Sequence, residues 1–138
     1  TFTGRCACGK VTLKIKGQPI QTRQCWCPKR HKIAAGGPTH NAIFKTEDDV
    51  IEGALAPHSY TADSGNTLHL WFCPSCGSHI YAQSSARMNM RTVRFGAIDE
   101  PHGLKPQIAI WTDDAPQWAI IDPALETFPC QPPTPKID

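Results

Sequence analysis

The chain has 138 residues, of which 40% are hydrophobic and 19% charged, with a formal net charge of +2. This length suits one domain with its own core, and the composition excludes a disordered polymer. No apolar run approaches the roughly 18 residues that span a bilayer, and the mild positive charge lacks the clustered excess of a nucleic-acid binder.

Residues Gly4 to Gly9 read as a small-residue loop carrying Cys6 and Cys8. Val11, Leu13 and Ile15 then alternate with Thr12, Lys14 and Lys16, the pattern of a half-buried strand closed by Gly17-Gln18-Pro19. A second short strand through Gln21 to Gln24 leads into Cys25 and Cys27, and Asn41 to Lys45 reads as another. Thr46 to Asp49 resembles a helix N-cap with an acidic first turn, and Gly53 and Pro57 limit it to little more than one turn. Leu68, Leu70 and Phe72 alternate with His69 and Trp71 directly into Cys73. Val93, Phe95 and Ala97 repeat the pattern, as do Ile108 and Ile110, and finally the run from Trp118 to Ile121.

Thirteen prolines and ten glycines punctuate these runs, and no long stretch keeps a helical period. The expected class is therefore mainly β: a single antiparallel domain over residues 1–130, with short helical turns. Residues 131–138 form a proline-rich tail, extended through Gln131-Pro132-Pro133-Thr134-Pro135, with Cys130 just before it. Thr1 to Gly4 shows no basic-then-apolar leader, so a cytoplasmic setting is the default expectation.

Seven cysteines, an odd number, fit a closed disulfide framework poorly and point to metal ligation or catalysis. Cys73-Pro74-Ser75-Cys76-Gly77 outlines a zinc knuckle: two intervening residues turn both sulfurs inward, and glycine permits the bend. Cys6-Ala7-Cys8-Gly9 is the natural donor of two further ligands. Residues i and i+2 of an extended strand lie too far apart to share a metal, so the glycine-flanked turn is part of the chemistry. A structural zinc held by Cys6, Cys8, Cys73 and Cys76 is expected; the competing reading is four buried reduced thiols.

The segments GRCACGKVTLKIKG, the cysteine pair near residue 25, FCPSCGSHIY and VRFGAID occur in the order seen in a known family. Over Gly4 to Trp118 the chain resembles the glutathione-dependent formaldehyde-activating enzymes, also called centromere-protein-V-like. The resemblance implies a β-tent fold around a structural zinc, whose four ligands match Cys6, Cys8, Cys73 and Cys76. It also implies a second, catalytic zinc on a C-H-C-x-x-C motif and carbon–sulfur bond chemistry with glutathione as co-substrate. Cys25 and Cys27 match the first two cysteines of that motif, and so are candidate ligands of a second zinc. Trp26 stands where the family usually has histidine, and Arg30 where the third cysteine belongs.

Arginine cannot stand in for a thiolate, because its guanidinium stays protonated and offers no lone pair. His31 is adjacent and is a candidate nitrogen ligand; its bland alternative is a solvent-facing member of the basic loop. Lys29, Arg30, His31 and Lys32 also provide a metal-free route, since cations beside a thiol lower its pKa and make Cys25 or Cys27 nucleophilic. The same loop suits the carboxylates of glutathione. A Cys25–Cys27 redox pair is a further option, with a strained ring. Trp26 either shields a reactive carbon or belongs to the core. The scattered His40, His58, His69, His79 and His102 are expected to be structural or exposed, and Cys130 has no assignable role.

The function expected is that of a lyase-type enzyme making, breaking or rearranging a carbon–sulfur or related carbon–heteroatom bond. Its substrate would be a small electrophile or thiol adduct, with Cys25, Cys27, Arg30 and His31 as candidate catalytic residues. The rival is a zinc-stabilised domain that binds a ligand or partner and catalyses nothing. Expected partners are small molecules, with neither nucleic acid nor membrane; sequence does not set the oligomeric state.

Overall fold

The computed structural model describes residues 1–137. In chain order the elements are β1 (Phe2–Arg5), β2 (Thr12–Ile15), β3 (Gln21–Cys25), α1 (Pro28–Ile33), β4 (Thr39–Lys45), β5 (Asp49–Glu52) and β6 (Ala56–Thr61). They continue with β7 (Thr67–Phe72), β8 (His79–Ser84), β9 (Met90–Arg94), β10 (Ile108–Ile110) and β11 (Glu126–Phe128). β1, β2 and β5 form a small sheet, while the other eight strands run in the order β11-β10-β3-β4-β9-β8-β7-β6 without closing into a barrel. The fold is mainly β, as expected. Among the described residues no helix is long and apolar enough to cross a membrane.

Period-two alternation decides which face of the large sheet does what. Cross-strand partners Ala42, Val93 and Tyr81, with Phe44, share one face. They pack with Val11, Leu13 and Ile15 of the small sheet's side, and Ala97 and Ile98 complete this core. Ile15, Phe44 and Val93 are fully buried there, each contributing on the order of 1.5–3 kcal/mol by leaving water.

The opposite face carries a polar row, Arg23–Asn41–Arg94, running across β3, β4 and β9. Cys25 and its partner Thr39 lie one pleat repeat further along. The sheet must curl strongly around this face. β3 and β6 are five strand positions apart, roughly 24 Å if flat, yet Arg30 of α1, directly after β3, reaches Tyr60 of β6 at 3.2 Å.

Several local expectations need correction. The strand expected through Ala97 stops at Arg94, and Phe95–Ala97 is a 3-10 turn closed by the Ile98 N–H on the Phe95 carbonyl. Ala97 reaches the core from that turn, so its apolar spacing mimics a strand. Trp118 to Ile121 forms no strand: Trp118 and Ile120 are 68% and 90% exposed, and a turn from Pro116 to Ala119 occupies the segment. The sheet is not wholly antiparallel, since β10 pairs in parallel with both β3 and β11.

The basic segment after Cys27 is a helix of six residues begun by Pro28, whose missing N–H costs nothing at that position. The turn at Thr46 is a 3-10 helix, Thr46–Asp48, running into β5. Gln131 to Pro135 has no regular structure but lies against the body: Trp111 donates to Gln131 at 3.0 Å, Arg87 to Thr134 at 3.4 Å, and Pro132 is buried.

The small sheet touches the segment that follows β9 at Gly4, which bridges to Ile98. A Cβ there would stand 1.9 Å from the Ala97 carbonyl oxygen, a backbone atom that cannot swing aside. Gly4→Ala should therefore destabilise the protein by about 2 kcal/mol or more, measured as a shift in the urea midpoint; an unchanged midpoint would show that the two sheets separate freely at this point.

Candidate functional site

The four-cysteine group joins the β1–β2 turn to the β7–β8 turn. In both turns a glycine follows the cysteines with positive φ, Gly9 at 80° and Gly77 at 78°, conformations that L side chains rarely adopt. The Gly9 N–H donates to the Cys6 carbonyl and the Gly77 N–H to the Cys73 carbonyl, folding each pair inward. The sulfurs of Cys6 and Cys8 lie 3.5 Å apart, those of Cys8 and Cys73 3.8 Å, and all four are within 4.8 Å of one another.

A tetrahedral zinc with Zn–S bonds near 2.3 Å requires sulfur separations of about 3.8 Å. The donor set therefore fits zinc. Around it, the Val11 N–H donates to Cys6 Sγ at 3.3 Å and the Ala7 N–H to the Ser78 hydroxyl at 3.0 Å. Ser78 in turn lies 3.3 Å from Cys76 Sγ, so one side chain links the two turns. Zinc bound here would supply a cross-link between sheets and no open coordination position.

The second group is built where β3 ends and α1 begins. Cys25 is buried between Thr39 of β4 and Ile110 of β10, and Cys27, half-buried, stands immediately before Pro28. Their thiols share a hydrogen bond. That bond, reinforced by burial, pushes the Cys25 pKa up and keeps it a proton donor. It also pulls Cys27 down to about 6; burial opposes this, while the Arg30 charge and the N–H groups of Arg30 and Lys29 favour the thiolate.

Arg30 stands over the pair. Burial works against its charge, but Tyr60 and the two sulfurs outweigh burial and raise its pKa. Its Nη1 donates to the Tyr60 hydroxyl at 3.2 Å, and Lys29 Nζ sits 3.5 Å above the same ring. His31 instead meets the edge of Trp26, centroids 5.9 Å apart, with its buried Nε2 lacking a hydrogen-bond partner. Trp26 is buried and donates to Gln24 at 2.8 Å, so it forms a wall of the site.

Among the described residues, Cys6, Cys8, Cys73 and Cys76 are the one convergent group of three or more metal-type ligands. No histidine or carboxylate joins Cys25 and Cys27 in such a group. Two thiols facing a guanidinium do not fit a zinc site. All seven cysteines are free, Cys130 exposed among them. Three other histidines are hydrogen-bonded, His69 with Ser59 at 2.7 Å, His102 with Glu100 at 2.8 Å and His40 with Gln24 at 3.0 Å, while His58 and His79 pack against Tyr60 and Phe72 and the buried Nδ1 of His79 has no partner.

Sequence reasoning missed Arg94, Arg23 and Tyr60. Arg94 and Arg23 lie on the same sheet face as Cys25 and are 6% and 7% exposed. Burial pushes Arg94 down to about 9, with the Arg30 charge adding to the effect, and Arg23 down to about 10, so both stay charged at neutral pH. The usable signal was an arginine inside an alternating strand run, in the segment VRFGAID.

Purified protein should carry close to one zinc per chain, and Cys73→Ser should lose both metal and cooperative unfolding. Metal analysis giving two zinc per chain would overturn the assignment at Cys25 and Cys27. Iodoacetamide should alkylate Cys27 with a pH midpoint near 6, against about 8.5 for an ordinary thiol. Arg30→Met should move that midpoint upward, since it removes the cation that favours the thiolate; mass spectrometry of the labelled peptide reads both.

The glutathione-dependent formaldehyde-activating enzyme family matches residues 1–114. A solved structure of a Rhodobacter sphaeroides protein, a structural-genomics target, is similar in fold, with a TM-score of 0.57 and 18% identity. The similarity covers 75% of this chain and 91% of that one. No curated protein gives a significant match. With the family matched over most of its length and the cysteine turns in place, the chain belongs to the glutathione-dependent formaldehyde-activating enzyme family.

Proposed function

We propose that the protein is a lyase-type enzyme that makes and breaks carbon–sulfur bonds on a small carbonyl compound or its thiol adduct, with glutathione as co-substrate. The observation that carries this reading is the Cys27 sulfur, hydrogen-bonded by the buried Cys25 thiol and faced by the Arg30 guanidinium. Family membership supports the glutathione and aldehyde chemistry in general terms.

In the forward step the Cys27 thiolate adds to the carbonyl carbon. A C–S bond forms, the π electrons move to oxygen, and the alkoxide takes its proton from water. Arg30 N–H groups not engaged by Tyr60 meet the developing oxyanion, the usual place for the largest catalytic contribution. As the hemithioacetal collapses, hydroxide takes back the hydroxyl proton, the Cys27 thiolate leaves and the carbonyl re-forms beside Arg30; the thiolate of glutathione then adds to that carbon, and the new alkoxide takes its proton from water. Cys25 remains protonated and orients the nucleophile, while Trp26 excludes water from one side.

The test is adduct formation between glutathione and a panel of aldehydes and oxo compounds, followed by ultraviolet absorbance and mass spectrometry. Cys27→Ser and Arg30→Met should each reduce turnover on the order of 100-fold or more, with zinc content unchanged. Full activity in Cys27→Ser, or no turnover of any adduct by the wild type, would rule the proposal out.

A further inference from the structure

Arg94 and Arg23 are buried arginines without a counter-ion. The ion pairs formed among the described residues are Arg91–Asp49 at 2.5 Å and His102–Glu100 at 2.8 Å, and neither lies on this face. Arg94 Nη1 donates to Asn41 Oδ1 at 2.5 Å, but its Nε and Nη2 have no partner. Arg23 donates to Gln21 through Nη2, and its Nε has no partner either. The contrast lies within one strand. Arg91, two positions from Val93 on the core-facing side of β9, has its carboxylate; Arg94, on the thiol-bearing side, has none.

Buried cations are normally paired, because desolvation without a counter-charge is costly. Unused, co-planar guanidinium N–H donors are the usual receptor for a carboxylate. Arg23, Asn41 and Arg94 share the sheet face that carries Cys25, and the charges of Arg30, Cys25 and Cys27 act on Arg94 there.

We propose that Arg94, with Arg23 and Arg30, forms a carboxylate subsite for the electrophilic substrate, which is therefore a small carbonyl compound bearing a carboxylate. Arg94 lies two strands across and one pleat repeat along from Cys25, roughly 10 Å and 6.6 Å, and its side chain reaches back over β4 to Asn41. A carbonyl carbon held at Cys27 and a carboxylate held by the arginines then belong to one small molecule. The carboxylate enters beneath α1, none of whose residues is fully buried and which is tied to β6 through Tyr60.

The inference rests on the carbon–sulfur reading for its electrophile but not for its anion site, so an unreactive probe separates the two. Oxalate binding is measured by calorimetry on the zinc-loaded protein, in the wild type and in Cys27→Ser. Binding to both is expected, weakened at least ten-fold by Arg94→Gln and unaffected by Lys14→Gln on the small sheet. If circular dichroism shows Arg94→Gln unfolded, Arg30→Gln on α1 takes its place, with a weakening of at least three-fold expected. Pyruvate should displace oxalate, and S-methylglutathione should not. No oxalate binding, binding indifferent to both arginine substitutions, or displacement by S-methylglutathione alone would overturn the subsite. Oxalate binding without any turnover would leave the subsite standing and remove the enzymatic reading.

Discussion

Packing of the small sheet against the Ala42–Phe44–Val93 face leaves the reverse face of the same strands to hold everything reactive. In a pleated strand one residue faces the core and the next faces away, so Val93 cannot be buried inward without Arg94 being turned to the thiol side. The chemistry of the site is thus tied to the packing of the core by the pleat itself. Curling of the sheet then encloses the reverse face, and α1 covers it by reaching Tyr60 on the distant edge strand.

The two cysteine groups differ because their backbones differ. At Cys6–Gly9 and Cys73–Gly77 the chain turns through a left-handed glycine, which brings sulfurs into the spacing a metal requires. At Cys25–Cys27 the chain passes from strand to helix with Cys27 still extended, at φ −62° and ψ 155°. Two sulfurs stay together there, and the next turn of chain delivers a guanidinium in place of a third ligand. One group is arranged to hold the fold, the other to leave a sulfur available.

β2, β7 and β10 were legible because apolar residues recur at every second position, though only β2 alternates in burial, while β3 and β4 were read as short runs without that rhythm. β8 escaped because Ile80 to Ser84 are all buried, which removes the alternation. β6 escaped because Pro57 and a mostly exposed pattern argue against a strand, although an edge position tolerates both. α1 is too short, and buries too little, to show a helical period. The cysteine turns were legible through spacing and glycine alone. Arg94 was not, since only the register across three strands shows that it shares a face with Cys25.

Arg30 also changes the sign of the place it occupies. A zinc held by three thiolates would carry a net negative charge, which favours neutral or cationic electrophiles over anions. One thiolate beside one guanidinium is neutral, and the arginines behind it tip the balance to positive. On the proposed reading, exchanging one ligand for one cation reverses which charges the place would attract. Such a centre would answer to the kinds of anion in its surroundings rather than to the supply of metal.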